Sequence, residues 1–243
     1  MAIRAEHLTF SYGGNKETLS DLNFRIGCGE CVGLIGANGA GKSTLLKLLM
    51  GLLPGYQGSV LVGGLCVEKK NLKQLRRLAG YVFQDSESQL FLSTVYEDVA
   101  FGPRNYGCSE AEVESRVMEA LRQVHMEALR DGQIYRMSGG QKKLASIATI
   151  LSMRPQIILL DEPSAALDPR NRKNLIRIIQ KLEGTKVVAS HDLDMILDIC
   201  ERTILIADGK IVRDGRTEEI LGDEALLVEY GLELPLSVKG RRR

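Results

Sequence analysis

With 243 residues, 32 Lys+Arg against 31 Asp+Glu, 44% hydrophobic and 26% charged residues, the chain has a globular composition and too much apolar content for a disordered one. A formal charge of +1 excludes the broad basic face of a nucleic-acid binder, and the length fits one large domain or one domain with an insertion. Five cysteines, odd in number and with no secretory signal in the sequence, lead us to expect a reducing compartment and no disulfide framework.

In chain order, short apolar runs alternate with helical periodicities, the pattern of α/β architecture, and no fixed-period repeat is present. Strands are expected over 3–12 and 22–26, broken by Gly13-Gly14. Cys28-x-x-Cys31 has the spacing of half a zinc site or a redox pair. Cys66, Cys108, Cys200, His7, His125 and His191 supply no second closely spaced pair, so it is read as neither. The apolar run Cys31–Ile35 enters a glycine-rich loop, and a helix is expected over 42–50, ended by Gly51. Residues 48–67 carry no charge and have the length of a bilayer span, but five glycines, Pro54, Gln57 and Ser59 interrupt them. The run therefore reads as helix end, loop and strand. Residues 85–137 lack a continuous strand-like run and contain a helix over 110–124. There Ser109 and Glu112 fit a capping box, and Val113, Val117, Ala120, Leu121 and Val124 form one apolar face. Strands are then expected at 157–160, 186–189, 203–207 and 210–212, with helices at about 170–182 and 192–200. The basic cluster 239–243 is expected to be a solvated terminus.

Chemistry concentrates in two elements. Gly36-Ala-Asn-Gly-Ala-Gly-Lys-Ser-Thr44 satisfies the phosphate-loop pattern between an apolar strand and a helix. Its glycines let successive N–H groups and the helix N-terminus face phosphates, Lys42 can reach the β and γ phosphates, and the Ser43 hydroxyl is a hard ligand for magnesium. Ile157-Ile-Leu-Leu-Asp-Glu162 puts two carboxylates directly after a buried strand. Asp161 is a candidate for the magnesium shell and Glu162 a candidate acceptor for an attacking water.

A third element, Ser138-Gly-Gly-Gln-Lys142, joins these two, and together they make the chain resemble the ATP-binding cassette (ABC) ATPases, with Met137 in place of the usual leading Leu. Tyr12 resembles the aromatic that stacks on adenine, Gln84 the Q-loop glutamine, Ser164-Ala-Ala-Leu-Asp168 the D-loop, and Ser190-His191-Asp192 the switch-histidine segment. The resemblance covers about residues 3–222. It implies a P-loop NTPase core with an N-terminal antiparallel β subdomain and an inserted α-helical subdomain at about 85–137. Residues 1–222 would form the ATPase domain, and 223–243 a short helical extension and basic tail.

It further implies that ATP is held by Tyr12, Gly36, Ala37, Asn38, Gly39, Ala40, Gly41, Lys42, Ser43 and Thr44, and across a head-to-tail dimer by Ser138, Gly139, Gly140 and Gln141. Mg2+ would be held by Ser43, Gln84 and Asp161, and Lys42, Gln84, Glu162 and His191 would be catalytic. The stretch 83–103, with Gln-Leu-Phe and Asp-Val-Ala-Phe-Gly-Pro, is similar to the energy-coupling-factor and cobalt-importer branch, as are residues 229–235 and the run Gly140-Gln-Lys-Lys143. Leu144 departs from that branch where a basic residue is usual, and Asp-Ser-Glu replaces its common Asn-Pro-Asp. The branch implies a second ATPase subunit, identical or paralogous, a membrane subunit contacting about 84–106, and a separate substrate-binding membrane subunit. Asp85 and Glu87 become candidate acceptors for basic residues of the membrane subunit. The chain would act at the cytoplasmic face of the membrane, powering uptake of cobalt, nickel or a vitamin. The alternatives are a soluble ABC ATPase uncoupled from transport and an ATP-dependent regulatory module.

Overall fold

Alternating apolar strands and amphipathic helices assemble into two sheets in the computed structural model, which describes residues 1–13 and 17–241 apart from the Arg241 side chain. Gly14 of the expected break and Arg242 and Arg243 of the tail lie outside the described residues. The strands are β1 (Ile3–Phe10), β2 (Leu19–Ile26), β3 (Cys31–Ile35), β4 (Gln57–Val62), β5 (Leu65–Cys66), β6 (Ala79–Val82), β7 (Ile157–Asp161), β8 (Thr185–Ala189), β9 (Arg202–Ala207) and β10 (Lys210–Arg216). The helices are α1 (Lys42–Leu49), α2 (Leu72–Leu78), α3 (Val95–Asn105), α4 (Glu110–Gln123), α5 (Gly139–Leu151), α6 (Pro169–Lys181), α7 (Leu193–Ile199), α8 (Thr217–Gly222), α9 (Glu224–Glu229) and α10 (Leu236–Arg241).

One sheet is antiparallel, in the order β2-β1-β4-β5. Its first strand stops at Phe10 rather than Tyr12, and β2 starts at Leu19 rather than Leu22, because the ladder continues to the Phe10–Leu19 pair. The second sheet runs β10-β9-β3-β8-β7-β6 and is parallel except for the β9–β10 hairpin. Both of its faces are covered, which is why its strands read as unbroken apolar runs rather than alternating ones. Ile157, Leu159, Val187 and Ala189 point into a core shared with α1 and the antiparallel sheet. Ile158, Leu160 and Val188 point into the other core, which contains the apolar faces of α3 to α7.

The capping box at Ser109 and Glu112 starts α4, and Val113, Val117, Ala120 and Leu121 are buried on the expected face. A second capping box, Thr94 with Glu97, starts α3, a helix the periodicity did not disclose because Gly102 and Pro103 fall inside it. The uncharged run 48–67 is the end of α1, a loop, β4 and β5. No helix among the described residues is long and apolar enough to cross a membrane. Cys31 Sγ lies 3.5 Å from Cys200 Sγ, and all five cysteines are free thiols. At the C-terminal end, Leu227 and Leu234 are buried in the core that holds α7, and the Leu236 and Ser237 amides donate to Asp194 at 2.9 and 3.0 Å.

Candidate active site

Four neighbouring parallel strands, in the order β3-β8-β7-β6, deliver the chemistry at their carboxyl ends, where ligands bind in sheets of this kind. The glycine loop 36–41 follows β3, Ser190-His191 follows β8, Asp161 ends β7 with Glu162 next to it, and Phe83-Gln84 follows β6. Between them lies a cleft of about 440 Å3 lined by Asn38 to Thr44, Gln84, Glu162 and His191.

The loop is shaped by close backbone packing. Gly36 has φ 151°, and a Cβ there would fall 2.1 Å from the Ile206 carbonyl on β9. Gly41 caps α1 with φ 107° and no side chain on the free amides, so the helix N-terminus stays open to an anion. Lys42 is buried and its Nζ donates to the Gly36 and Ala37 carbonyls at 2.7 and 3.1 Å, which stations the ammonium over the loop. Burial holds its pKa below the ordinary lysine value, with the Glu162 and Asp161 carboxylates opposing.

The Ser43 hydroxyl donates to Asp161 Oδ1 at 2.8 Å, while Tyr81, from β6, donates its phenol to Asp161 Oδ2 at 2.7 Å. Burial, reinforced by the Asp161 charge, pushes the Tyr81 phenol up, so it remains a donor throughout the neutral range. The result is a pair of hard oxygens in a fixed arrangement. Glu162 is buried at φ 45°, and its Oε2 receives Ser190 Oγ at 3.3 Å and the His191 amide at 3.2 Å. His191 Nδ1 lies 2.7 Å from the same oxygen, and the imidazole is exposed at the cleft. A carboxylate backed by an imidazole beside an anion cradle is suited to deprotonating a water next to a phosphate.

The structure thus brings Lys42, Ser43, Gln84, Asp161, Glu162 and His191 into one neighbourhood. Tyr12 stands at its edge, 61% exposed, with its hydroxyl 3.1 Å from Thr44 Oγ1 and its ring edge-on to Phe10. Ser138, Gly139, Gly140 and Gln141 do not line the cleft. They open α5, where Ser138 and Gln141 form a capping box with each other and Ser138 and Gly139 remain exposed. The acids expected to face a partner already have internal contacts: Glu87 pairs with Lys142, and Asp85 accepts the Glu87 amide at 2.9 Å and the Ser88 hydroxyl at 3.0 Å. Tyr81 and Ser190 were missed as site residues. Only the strand β6, itself unassigned in the sequence, would have disclosed Tyr81.

The family model for the ABC transporter matches residues 19–165. This chain belongs to the ABC transporter ATP-binding family. A cobalt import ATP-binding protein, CbiO, of Rhodobacter capsulatus is 40% identical over 241 residues, covering 97% of this chain and 86% of that protein. The structure of cbiO1 from Clostridium perfringens, part of the transporter complex cbiONQ, superposes with a TM-score of 0.85 at 31% identity, covering 100% and 99% of the two chains. A dimeric post-hydrolysis ATP-binding cassette, MJ0796, bound to ADP and Pi, gives a TM-score of 0.79 at 28% identity over 88% of this chain and 98% of its own. The chain is therefore an ABC-type ATPase, and its two sheets and helical subdomain are those of the ABC ATPase fold.

Proposed function

We propose that this ABC ATPase dimerises head to tail around two ATP molecules and powers uptake of a metal ion, cobalt or nickel, or of a vitamin through membrane subunits. One observation carries the reading. The chain holds two half-sites that do not meet: a phosphate-loop cleft, and an exposed helix N-terminus at Ser138–Gly139 outside it. A second copy or a paralogue would unite them around the γ phosphate. Loss of that phosphate on hydrolysis would remove the shared contact and open the dimer. The likeness to cbiO1 over the whole chain and to CbiO supports the transport branch, and the dimeric neighbour supports the assembly.

Within this reading Lys42 and the loop amides hold the β and γ phosphates, and Gln84 orients the water. Glu162 accepts its proton, and His191 is held by Glu162 Oε2 facing the γ phosphate. Ser43 and Asp161, joined by Gln84, would hold Mg2+, which when bound supplies neutralisation of phosphate charge. The hard-oxygen pair Ser43–Asp161 fits that ion. Among the described residues no cluster of three His, Cys, Asp or Glu could hold a metal by itself, as suits an ion that takes further ligands from phosphate and water. Tyr81→Phe tests the bracing of Asp161: it is expected to raise the Mg2+ half-saturation of ATPase activity by about tenfold. It should also lower stability by about 1–2 kcal/mol. An unchanged Mg2+ titration would remove Tyr81 from the metal shell.

Residues 1–222 serve as the ATPase unit, with 85–137 as its helical insertion and 223–243 as an appended segment. The membrane subunit docks on 84–106 at the cytoplasmic face, and a separate membrane subunit selects the cargo. Phe91 and Phe101, 64% and 43% exposed and edge to face at 4.8 Å, offer an apolar anchor in that segment. Co-expressed with its membrane subunits, the chain is expected to co-purify from membranes. Replacing both phenylalanines by Ser should cut recovery at least about tenfold, while ATPase activity of the isolated chain stays within about twofold. Absence of any membrane partner would refute transport coupling.

A further inference from the structure

Lys143 is a buried cation that the chemistry above leaves unused, as is Lys186 on β8, whose ammonium donates to the Ile179 and Leu182 carbonyls. Lys143 is 3% exposed on the second turn of α5, and it pairs with no carboxylate among the described residues. Its ammonium donates to two backbone carbonyls, Phe83 at 2.9 Å and Gln84 at 2.7 Å. Burial pulls its pKa down to about 8, with the charges of Asp85 and Asp161 opposing. A buried ammonium held only by carbonyls is costly, and the cost is offset only while those two peptides stay where they are. The attachment is reinforced along the helix. Gln89 Nε2 donates to the Ser146 carbonyl at 2.6 Å and to Thr149 Oγ1 at 2.8 Å, Gln89 Oε1 accepts the Phe83 amide at 3.2 Å, and Lys142 pairs with Glu87. Residues 83–89 are therefore fastened to the helix whose first residues are the exposed signature.

Gln84 lines the chain's own cleft, whereas Ser138 and Gly139 belong to the half-site turned outward. We propose that Lys143 is a positioning residue that couples the two half-sites, holding the Phe83 and Gln84 peptides to α5 so that Gln84 at one ATP and Ser138 at the partner's ATP move as a unit. This inference rests on the head-to-tail dimer proposed above. The charged pair of hydrogen bonds is strong enough to transmit a displacement, since charge-assisted bonds are about twice as strong as neutral ones. Loss of Lys143 should thus impair dimer closure and leave nucleotide binding by the single chain intact.

The test measures ATP-dependent dimerisation in the Glu162→Gln background, by size-exclusion chromatography with light scattering, alongside ADP affinity of the single chain. Adding Lys143→Met is expected to raise the half-dimerising ATP concentration by at least about tenfold, with ADP affinity unchanged within about twofold. Lys143→Arg, which keeps charged donors, should stay within about threefold of the parent. A Lys143→Met half-point within about twofold of the parent overturns the proposal, as does an equal loss of ADP affinity. Should Lys143→Met fail to fold, Lys143→Gln, which keeps neutral donors, takes its place. An intermediate half-point is then expected, and a parental one overturns the proposal. If E162Q itself does not dimerise with ATP, the dimer reading falls, and this inference with it.

Discussion

Replacing Glu162 by Gln is expected to leave ATP bound and stop its hydrolysis, lowering kcat about 10²- to 10³-fold while nucleotide affinity changes less than about threefold. The two effects separate because Gln is nearly isosteric and still offers an oxygen to the Ser190 hydroxyl and the His191 amide, the groups that hold the side chain in place. In the proposed mechanism the phosphates are held elsewhere, by the loop amides and Lys42, which line the same cleft. What disappears is the negative charge that faces the imidazole 2.7 Å away and that, in the proposed mechanism, takes a proton from the attacking water. His191 Nδ1 is then left beside an amide, so its orientation loosens as well. Single-turnover hydrolysis together with equilibrium nucleotide titration measures both quantities. Undiminished turnover would show that Glu162 is not the base.

This site was legible in the sequence to the extent that its residues follow strands of continuous apolar character. The phosphate loop, Asp161-Glu162 and Ser190-His191 each come after such a run, because β3, β7 and β8 lie inside the sheet with both faces covered. Tyr81 was illegible for the converse reason: β6 is the edge strand, only Ala79–Val82 in length. Its Ala and Gly have little strand preference, and its identity comes from pairing with β7 from Ala79–Ile157 to Val82–Leu160. Helix α3 was hidden by Gly102 and Pro103, although its capping box at Thr94 and Glu97 was readable. The separation of the signature from the cleft was implied by the family resemblance alone, since order along the chain carries no information about which half-sites meet. Lys143 was likewise invisible, because a lysine in a run of Gln-Lys-Lys reads as a solvated face until tertiary contacts bury it.

Gly36→Ala is expected to be the most damaging single-methyl change in the loop, and the comparison with Gly39→Ala shows why. At Gly36 the new Cβ would meet the Ile206 carbonyl at 2.1 Å and Ala40 Cβ at 3.2 Å, with φ at 151°. Ile206 belongs to β9, which is held between β3 and β10 and pairs there with Ile211, so the clash is relieved only by moving the loop itself. At Gly39 φ is 81°, but a Cβ there meets nothing within 4 Å, leaving only the intrinsic strain of a left-handed residue. The strain alone costs about 1–2 kcal/mol, whereas backbone displacement on top of it should bring Gly36→Ala to about 3–4 kcal/mol. Because the displaced segment also supplies the carbonyls that station Lys42, ATP affinity should fall at least about 10²-fold in Gly36→Ala. Urea denaturation and nucleotide titration of both variants measure the contrast. Equal destabilisation by the two substitutions would mean that the loop tolerates displacement from β9, and that the cradle is not held by this close approach.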